Sequence, residues 1–347
     1  MGVQDVNSRI GLPGYGFVIH AGLKVVFASD KLRYSLKGGL KKGWEGFYWM
    51  LKIIVPVSFF TALLEYSGLL NTLNLVLEPA MSVLNLPPIA ALPLVVGMLT
   101  GIYTGIAAMV VLPLTIDQMT LIAVFLLISH NLIQEGIIQA KSGLGVLKAT
   151  LVRLAASVAT VIVVSQFLDN GSRAGAAMSG TLSDSQPFLV MLKAWSLTTL
   201  SLFAKILVII MAIMIVMEIM RNYNLIGYIV RILNPFLKIL GLEKKVGMLW
   251  ITAVVFGLSY GAAVIVGEAK NGSFTRAELE NLHLSIGINH AIIEDPAIFM
   301  SLGLNAFWLW VPRFVAAVAA VHIFALWRKI RDGRADSPDG QAVKRER

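Results

Sequence analysis

Gly101-Ile-Tyr-Thr-Gly105 and Gly257-Leu-Ser-Tyr-Gly261 are the two stretches that decide the fold of this chain. Each lies in the middle of an apolar segment that is long enough to enter a bilayer. Two half-helices meeting at such a glycine pair would form a re-entrant hairpin whose tip reaches the middle of the membrane. Exposed backbone at such a tip is tolerated only inside protein or beside a water-filled cavity. The alternative is that the four glycines are small-residue contacts between unbroken helices.

The composition of the chain is that of a helical membrane protein. The sequence has 347 residues, 57% of them hydrophobic and 14% charged, and its mean hydropathy is +0.76. Apolar runs of about 20 residues recur along it, which is the length that a helix needs to cross about 30 Å of hydrocarbon. The sequence contains no cysteine, so disulfides, thiolate metal sites and cysteine nucleophiles are excluded. We therefore expect an all-α polytopic membrane protein.

Charge and polarity divide the chain into five parts. The net charge of +9 is concentrated at the two ends and in one loop. Lysines around a short apolar stretch near the start predict a basic helix at the membrane interface, and small polar residues after position 168 predict a linker. The predicted parts are a basic interfacial segment at 1–46, a first repeat at 47–168, a linker at 169–197, a second repeat at 198–328 and a basic disordered tail at 329–347.

The two repeats are recognised by matched polar and helix-breaking residues in the same order. Apolar composition alone does not produce such matches, because most of the matched residues are charged, histidine, proline or glycine. The matched pairs are Lys52 with Lys205, Glu65 with Glu218, Pro79 with Pro235, Gly101 with Gly257, Gly105 with Gly261, His130 with His290, Glu135 with Asp295, and Arg153 with Arg313. We infer that the chain is an internal duplication.

The distribution of basic residues indicates that the two repeats have opposite orientations in the membrane. The loop at 66–87 has no Lys or Arg, whereas its counterpart at 219–246 has five. Conversely, the turn between Lys141 and Lys148 is basic, and its counterpart at 301–308 is uncharged. By the positive-inside rule, equivalent loops therefore lie on opposite faces, an arrangement that is common in transporters.

Inverted repeats require an odd number of crossings in each half, but each half has four apolar segments. One segment per half must then enter and leave on the same side. The best candidates are 88–113 and 247–267, which carry the glycine pairs near their centres. The predicted fold is two inverted-topology repeats, each with about three transmembrane helices and one re-entrant helical hairpin.

Two histidines occupy equivalent positions in the middle of predicted membrane helices. His130 and His290 lie near the middle of the segments 119–139 and 280–303. Polar side chains in a membrane are costly, so a pair at equivalent positions beside glycine breaks predicts a ligand or ion site. The alternative is that each histidine only makes a hydrogen bond between helices.

A helix break is predicted in each half next to a carboxylate. Glu135 and Asp295 are followed directly by Gly136 and Pro296, which are both helix breakers. Polar groups at such an interruption would be available to a solute.

Two arginines are expected to pair with these carboxylates. Arg153 and Arg313 fall in the following antiparallel helix at a depth similar to that of Glu135 and Asp295. Charges inside a membrane usually pair, so we predict the ion pairs Glu135–Arg153 and Asp295–Arg313. Their role would be structural, with proton coupling as the alternative.

The predicted solute site combines the two glycine tips with the polar groups around the histidines. Backbone at the tips and neutral side chains would supply hydrogen-bond donors and acceptors. The predicted contact residues are Gly101, Tyr103, Thr104, Gly105, His130, Asn131, Gly257, Ser259, Tyr260, Gly261, Asn289, His290 and Glu294. No metal is assigned, and the alternative is a divalent metal held by His130, His290 and Glu294.

Several function classes are disfavoured by motifs that the sequence does not contain. His-Glu-x-x-His does not occur, which argues against a zinc hydrolase. Without a Walker A sequence, this chain carries no ATPase or GTPase engine of its own. No nucleophile–base pair stands out, so an enzyme is not expected. Secondary transport remains, without a cofactor and with a proton or sodium ion as the expected coupling ion.

The motifs around the tips and the histidines resemble those of the nucleoside-recognition or Gate domain family. The resemblance rests on Gly101-Ile-Tyr-Thr-Gly105 followed by His130-Asn-Leu-Ile-Gln-Glu135, and on Gly257-Leu-Ser-Tyr-Gly261 followed by Asn289-His-Ala-Ile-Ile-Glu-Asp295. The chain looks like two fused Gate domains, similar to spore-maturation proteins A and B and more distantly to concentrative nucleoside and ferrous-iron transporters. This sequence has neither the GTP-binding domain nor the membrane cysteines of the iron transporters. The substrate-contact signatures of the nucleoside transporters find no residue-by-residue match.

The residues and the resemblance together lead us to expect a transporter of a small polar solute, with a nucleoside-like molecule as one candidate. Two alternatives are a divalent-metal permease and a non-transporting membrane assembly factor of the spore-maturation type. We expect a multi-pass protein of the inner (plasma) membrane with both termini in the cytoplasm. Its expected partners are the lipid bilayer and the solute. Nucleic acid is not expected, and assembly into a homo-oligomer is left open.

Overall fold

A computed structural model describes most of the chain. The described residues are 29–168, 187–223, 225–256, 265–268 and 274–335. The second predicted tip (Gly257, Ser259, Tyr260 and Gly261), the greater part of the predicted linker and most of the predicted tail lie outside the described residues, as does the start of the predicted interfacial segment.

Within these ranges the chain folds into helices joined by short turns, and it forms no strand. The helices are α1 (Ser29–Tyr66), α2 (Leu69–Val83), α3 (Ala91–Thr100), α4 (Ile102–Met109), α5 (Ile116–Ser129), α6 (Leu132–Lys141), α7 (Val146–Ser165), α8 (Phe188–Asn222), α9 (Ile226–Ile239), α10 (Gly247–Phe256), α11 (Arg276–Ile288), α12 (Glu294–Met300) and α13 (Ala306–Ala335). The prediction of an all-α protein is confirmed for the described part of the chain.

Among the residues that the structure describes, five helical stretches are long and apolar enough to cross a membrane. They are Asp30–Tyr66, Ile116–Lys141, Val146–Ser165, Phe188–Asn222 and Ala306–Arg331. A sixth candidate is the bent pair Leu77–Val83 and Pro88–Thr100, whose parts meet at 86°. The chain is therefore a multi-pass membrane protein, as its composition predicts.

The two longest helices, α1 and α8, pack against each other in antiparallel orientation. Gly39 lies near the start of α1, and a Cβ atom on it would come within 2.5 Å of the Ile215 Cα atom near the end of α8. At the other end of the pair, the rings of Tyr66 and Phe188 are 6.0 Å apart. Gly39 has no side chain, so the backbones of α1 and α8 can approach each other closely at this position.

Both long helices extend past the boundaries predicted for the repeats. Residues 29–46, expected as part of an interfacial segment, continue without a break into the first apolar span as one helix of 38 residues. Residues 188–197, expected as part of the linker, are the first turns of α8, which has 35 residues. At 1.5 Å per residue each helix is longer than the hydrocarbon core is thick, so both reach beyond it.

The first predicted glycine tip is a sharp reversal between α3 and α4. Gly101 has a φ of 121°, which favours glycine. A Cβ atom on Gly97 would lie 3.3 Å from the Gly105 Cα atom, although an unbroken helix would hold these residues about 12 Å apart. The chain therefore folds back at Gly101, and Leu126 of α5 packs into the space that Gly97 and Gly105 leave.

Helices α5 and α11 form the centre of the molecule. Every residue from Thr120 to Ser129 and from Leu282 to Ile288 is buried. Each helix begins with a capping box, in which the side chains of Thr115 and Thr275 accept hydrogen bonds from backbone N–H groups three residues on. The C-terminal ends of both central helices are covered on all sides, so polar residues at these ends lie deep inside the protein.

Candidate functional site

Each central helix is interrupted close to its histidine. Helix α5 ends at Ser129, His130 has extended backbone, and Asn131 has the left-handed φ of 53° before α6 begins. In the second half α11 ends at Ile288, and Ala291 has a φ of 45° before α12 begins. These breaks place backbone carbonyl and N–H groups beside the histidines.

The predicted interruption is present in each half, but it lies several residues before Gly136 and Pro296, so its predicted position was wrong. Gly136 is inside α6, where a Cβ atom would lie 3.2 Å from the Val146 side chain, so its role is close packing against α7. Pro296 is in the first turn of α12. A proline is tolerated there because the first N–H groups of a helix have no intrahelical acceptor.

The two breaks bring His130 and His290 into contact. Their ring centroids are 4.9 Å apart, and the two Nε2 atoms are 3.3 Å apart. Both residues are buried, with 7% and 2% of their surface exposed. The histidines of the two repeats thus form one pair in the interior rather than two separate sites.

Hydrogen bonds to the backbone fix the tautomer of both histidines when they are neutral. His130 Nδ1 lies 2.8 Å from the Leu126 carbonyl oxygen, and His290 Nδ1 lies 2.9 Å from that of Ile286. A carbonyl oxygen can only accept, so each Nδ1 carries the proton and donates. The Nε2 atom of each ring is then an acceptor, and the two acceptors face each other.

Two carboxylates complete this group of acceptors. Glu135 Oε1 lies 3.0 Å from His290 Nε2 and 3.5 Å from His130 Nε2. Asp295 Oδ2 lies 3.8 Å from His130 Nε2. We call these four residues, His130, His290, Glu135 and Asp295, the acceptor cluster. When both rings are neutral in this tautomer, their lone pairs converge with those of the carboxylates, which favours a proton, a metal ion or the N–H and O–H groups of a solute.

Two arginines hold the ends of the central helices in the same way in each half. Arg153 donates from Nε to the Ile128 carbonyl at 2.8 Å and from Nη2 to the His130 carbonyl at 2.7 Å. The last carbonyl groups of a helix have no intrahelical donor, so a buried arginine that reaches two of them stabilises the break.

The equivalent arginine of the second half repeats this geometry. Arg313 donates from Nε to the Ile288 carbonyl at 2.7 Å and from Nη2 to the His290 carbonyl. Sequence reasoning assigned the arginines to ion pairs and missed this role. Nothing in the spacing of the sequence marks which backbone carbonyls an arginine will reach.

The two predicted ion pairs have different outcomes. Arg153 Nη1 and Glu135 Oε2 are 2.7 Å apart, so the first pair is present. Asp295 and Arg313 are both among the described residues and form no ion pair with each other, so the second prediction was wrong. By hydrogen-bond geometry Asp295 Oδ2 and Arg313 Nη1 have no partner, and the same holds for Glu135 Oε2 and Arg153 Nη1, so the two pairs differ only in the distance between their charges. The aspartate is one methylene shorter than Glu135, and its carboxylate lies beside His130 of the other half.

Glu294 contacts the first hairpin and not the histidines. The Tyr103 hydroxyl of α4 donates to Glu294 Oε1 at the start of α12. This contact joins two predicted site residues from different halves of the chain. In the described part of the chain, the group that could hold a metal ion is His130, His290 and Asp295, with ligand atoms within 4.8 Å of one another. The predicted third ligand, Glu294, is therefore replaced by Asp295.

Of the remaining predicted residues, those that the structure describes lie around the same centre. The Asn131 N–H donates to the Gly97 carbonyl at 3.1 Å, which ties the break of the first half to its hairpin. Asn289 is buried within the second break. Thr104 donates to the Gly101 carbonyl at 2.6 Å and closes the tip. Gly97 was missed by sequence reasoning, although its spacing to Gly101 repeats that between the two predicted tip glycines.

These features define a class of protein: a polytopic helical membrane protein in which two similar halves each contribute one broken helix and one histidine to a buried polar centre. The chain belongs to the Gate family, described as nucleoside recognition, which matches residues 47–180 and 203–305. It is similar to the uncharacterized membrane protein YvoD of Bacillus subtilis (strain 168), with 28% identity over 305 residues. That similarity covers 85% of this chain and 97% of YvoD. No solved structure matches the chain.

Proposed function

We propose that this protein is a secondary transporter that binds a small polar solute at the acceptor cluster, between two repeats of inverted topology. The observation that carries the proposal is the convergence of two Nε2 atoms and two carboxylates in the buried interior. Glu135 is paired with Arg153, but Asp295 Oδ2 has no hydrogen-bond partner, and buried acceptors without donors are costly. A membrane protein keeps such groups where a solute or an ion passes.

The arrangement of the helices supports an inverted repeat. Helices α1 and α8 are equivalent by sequence and pack in antiparallel orientation. The broken pairs α5–α6 and α11–α12 are also equivalent, and counting α11–α12 as the counterpart of the span Ile116–Lys141 gives three crossings in each half. The hairpin of α3 and α4 enters and leaves on one side, as expected for a re-entrant element. An odd number of crossings places the second half upside down relative to the first.

Basic residues support an orientation with both termini in the cytoplasm. At one end of the bundle, ion pairs connect Lys42 with Glu218, and Lys148 and Arg328 with Glu280. We call this the basic end. Its lysines and arginines include Lys31, Arg33, Lys37, Lys41, Lys42, Lys141, Lys148, Arg221, Lys244, Lys245, Arg328, Lys329 and Arg331. By the positive-inside rule this end faces the cytoplasm of a plasma-membrane protein.

The opposite end differs sharply in charge. It is formed by the start of α5, the start of α8 and the turn before α13. Of the described residues there, Lys193 alone is basic. This asymmetry is the structural counterpart of the loop charges in the sequence, and it supports the proposed topology.

The solute would bind by donating hydrogen bonds to the acceptor cluster. Nucleosides carry N–H and O–H donors, and the family description of nucleoside recognition supports this class of solute. The Tyr103–Glu294 contact joins the hairpin of the first half to the break of the second. A movement of one half against the other would break this contact and alter access to the site.

A divalent-metal permease is the second candidate. His130, His290 and Asp295 place three ligand atoms within 4.8 Å of one another. Imidazole and carboxylate ligands suit several divalent ions. The same acceptors therefore fit a metal cargo, and binding measurements must include both kinds of ligand.

A thermal-shift screen on detergent-purified protein tests the proposal. The probes are uridine, adenosine, Mn²⁺ and Zn²⁺, each over a concentration series. A ligand that binds the native state raises Tm by mass action. We expect one class of probe to raise Tm in wild type and in His322→Ala, which removes an exposed histidine, and to have no effect in His290→Ala.

The outcomes separate the candidates. A nucleoside shift that depends on His290 supports the leading proposal, and a metal shift that depends on it supports the permease. A shift that persists unchanged in His290→Ala would place binding elsewhere and refute the site. No shift with any probe would favour a non-transporting assembly factor.

A further inference from the structure

Buried polar residues continue from the acceptor cluster toward the basic end. Gln139 lies one turn beyond Glu135 on α6, and His283 lies two turns before His290 on α11. Both side chains are 1% exposed. Gln139 Nε2 donates to the His283 carbonyl at 3.3 Å, so the two helices lie side by side at this level. None of these contacts belongs to the acceptor cluster.

The hydrogen bond of His283 leaves one of its nitrogens free. Its Nε2 lies 3.3 Å from the Ser142 carbonyl oxygen, which can only accept, so Nε2 carries the proton of the neutral ring. Nδ1 is then an acceptor and has no partner among the described residues. The Gln139 Oε1 atom is likewise buried without a partner. Buried acceptors of this kind are usually satisfied by water.

The equivalent positions in the other half are apolar. Residues related by the repeat are 160 positions apart in this part of the chain. At that spacing, Gln139, Ser142 and His283 correspond to Phe299, Leu302 and Ala123, of which Phe299 and Ala123 are fully buried. At these three positions the polar series therefore has no counterpart in the other half.

The polar series ends at a group that reaches the surface. Glu280 is about one turn before His283 on α11 and forms ion pairs with Lys148 and Arg328. Its side chain is 14% exposed. The Arg153 side chain passes Gly287 beside the series, but its charge is compensated by Glu135. The positive charges beside the polar series are therefore each compensated by a carboxylate and do not repel a cation that moves along it.

We propose that Gln139, Ser142 and His283 line a hydrated path that carries protons between the acceptor cluster and the basic end. A proton delivered by water would bind His283 Nδ1 and leave from the same atom, so the ring returns to its neutral form. The inference rests on the proposed transport function and deepens it, because it assigns the coupling ion as a proton and gives the side from which that proton enters or leaves.

Cysteine accessibility tests the hydration of this path without knowledge of the solute. The chain has no cysteine, so single cysteines report only on their own position. The variants are Gln139→Cys and His283→Cys, with Phe299→Cys and Ala123→Cys as matched controls from the other half. We expect the aminoethyl methanethiosulfonate reagent, applied from the basic end, to modify the first two at least about tenfold faster, because the reactive thiolate needs water. Equal rates in both pairs would overturn the proposal.

Proton coupling is tested in proteoliposomes with radiolabelled uridine as the probe. Uridine counterflow needs no proton gradient, whereas accumulation under an imposed pH gradient needs the coupling ion to move. We expect His283→Phe and Gln139→Leu to retain counterflow and to lose gradient-driven accumulation, and His322→Phe to retain both. Retained accumulation in His283→Phe and Gln139→Leu would overturn the proposal.

The two measurements also separate this inference from the proposed function. Wild-type counterflow without any response to the gradient would leave transport standing and remove the proton path. If uridine gives no counterflow, or if a variant misfolds and loses it, the cysteine modification rates decide whether the path exists.

Discussion

Two double-mutant cycles, each combining one arginine with its nearby carboxylate, compare the arginine–carboxylate interaction energies of the two halves. One cycle uses Arg153→Met, Glu135→Gln and their combination. The other uses Arg313→Met, Asp295→Asn and their combination. Both arginines donate to two backbone carbonyls, so each single arginine variant leaves two buried acceptors unsatisfied.

The magnitudes follow from the contacts. Loss of Arg153 also leaves Glu135 as a buried charge without its partner, and breaking such a pair costs about 3–5 kcal/mol. Arg313 has no ion pair with Asp295, so its loss should cost less. We expect a coupling energy of about 3 kcal/mol for Glu135–Arg153 and a value lower by at least about 1.5 kcal/mol for Asp295–Arg313.

The assay is the free energy of unfolding in mixed micelles, measured by titration with a denaturing detergent and monitored by tryptophan fluorescence. The difference between the two cycles is the informative quantity, because it cancels effects common to both arginines. Equal coupling energies in the two cycles would refute the reasoning, since they would mean that Asp295 and Arg313 pair as Glu135 and Arg153 do.

Three further predictions concern single contacts. Gly39→Ala should lower the free energy of unfolding by about 1–3 kcal/mol, because its Cβ would lie 2.5 Å from the Ile215 Cα atom and no side-chain rotation relieves that contact; Gly46→Ala is the control, since nothing lies within 4 Å, and it should raise stability by about 0.5–1 kcal/mol. Gly105→Ala should lower Tm because its Cβ would lie 2.5 Å from Leu126 Cδ1; the added Leu126→Ala should restore part of the loss, and no recovery would show that the hairpin packs differently. Tyr103→Phe should weaken solute-dependent stabilisation by about 1–3 kcal/mol, because Glu294 loses its donor; a binding curve identical to wild type would show that this contact has no part in the site.

The sequence was sufficient for the parts of the fold that depend on periodicity and on duplication. The reversal at Gly101 followed from a glycine pair at the centre of an apolar segment. The meeting of His130 and His290 followed from their matched positions in two repeats. Both features depend on few residues whose chemistry is distinctive in a membrane, so the pattern could identify them.

The predictions that were wrong concern the positions of the helix breaks and the partner of Asp295. These depend on local packing and on the length of one side chain. The breaks were assigned to Gly136 and Pro296, but a glycine packs well inside α6 and a proline is tolerated in the first turn of α12. The sequence predicts that Asp295 pairs with Arg313, but the shorter Asp295 side chain lies beside His130. Tertiary packing determines the position of a helix break and the partner of a buried charge, and residue spacing in a single sequence does not reveal either.

The same limit applies to Gln139 and His283. His283 has no matched histidine in the other half, so a comparison of repeated residues does not reveal it. His283 is significant because the two halves differ here: the equivalent position in the first half is the apolar Ala123. A contrast of this kind becomes visible only when the structure shows which helices lie side by side.

The flux of solute through proteoliposomes containing wild type, His130→Ala or His290→Ala tests the central claim most directly. If the acceptor cluster is the transport site, wild type will exchange a nucleoside or a divalent cation across the bilayer, and each histidine variant will lose that exchange while remaining folded. Undiminished exchange in both variants, or no exchange of any probe by wild type, would contradict the account.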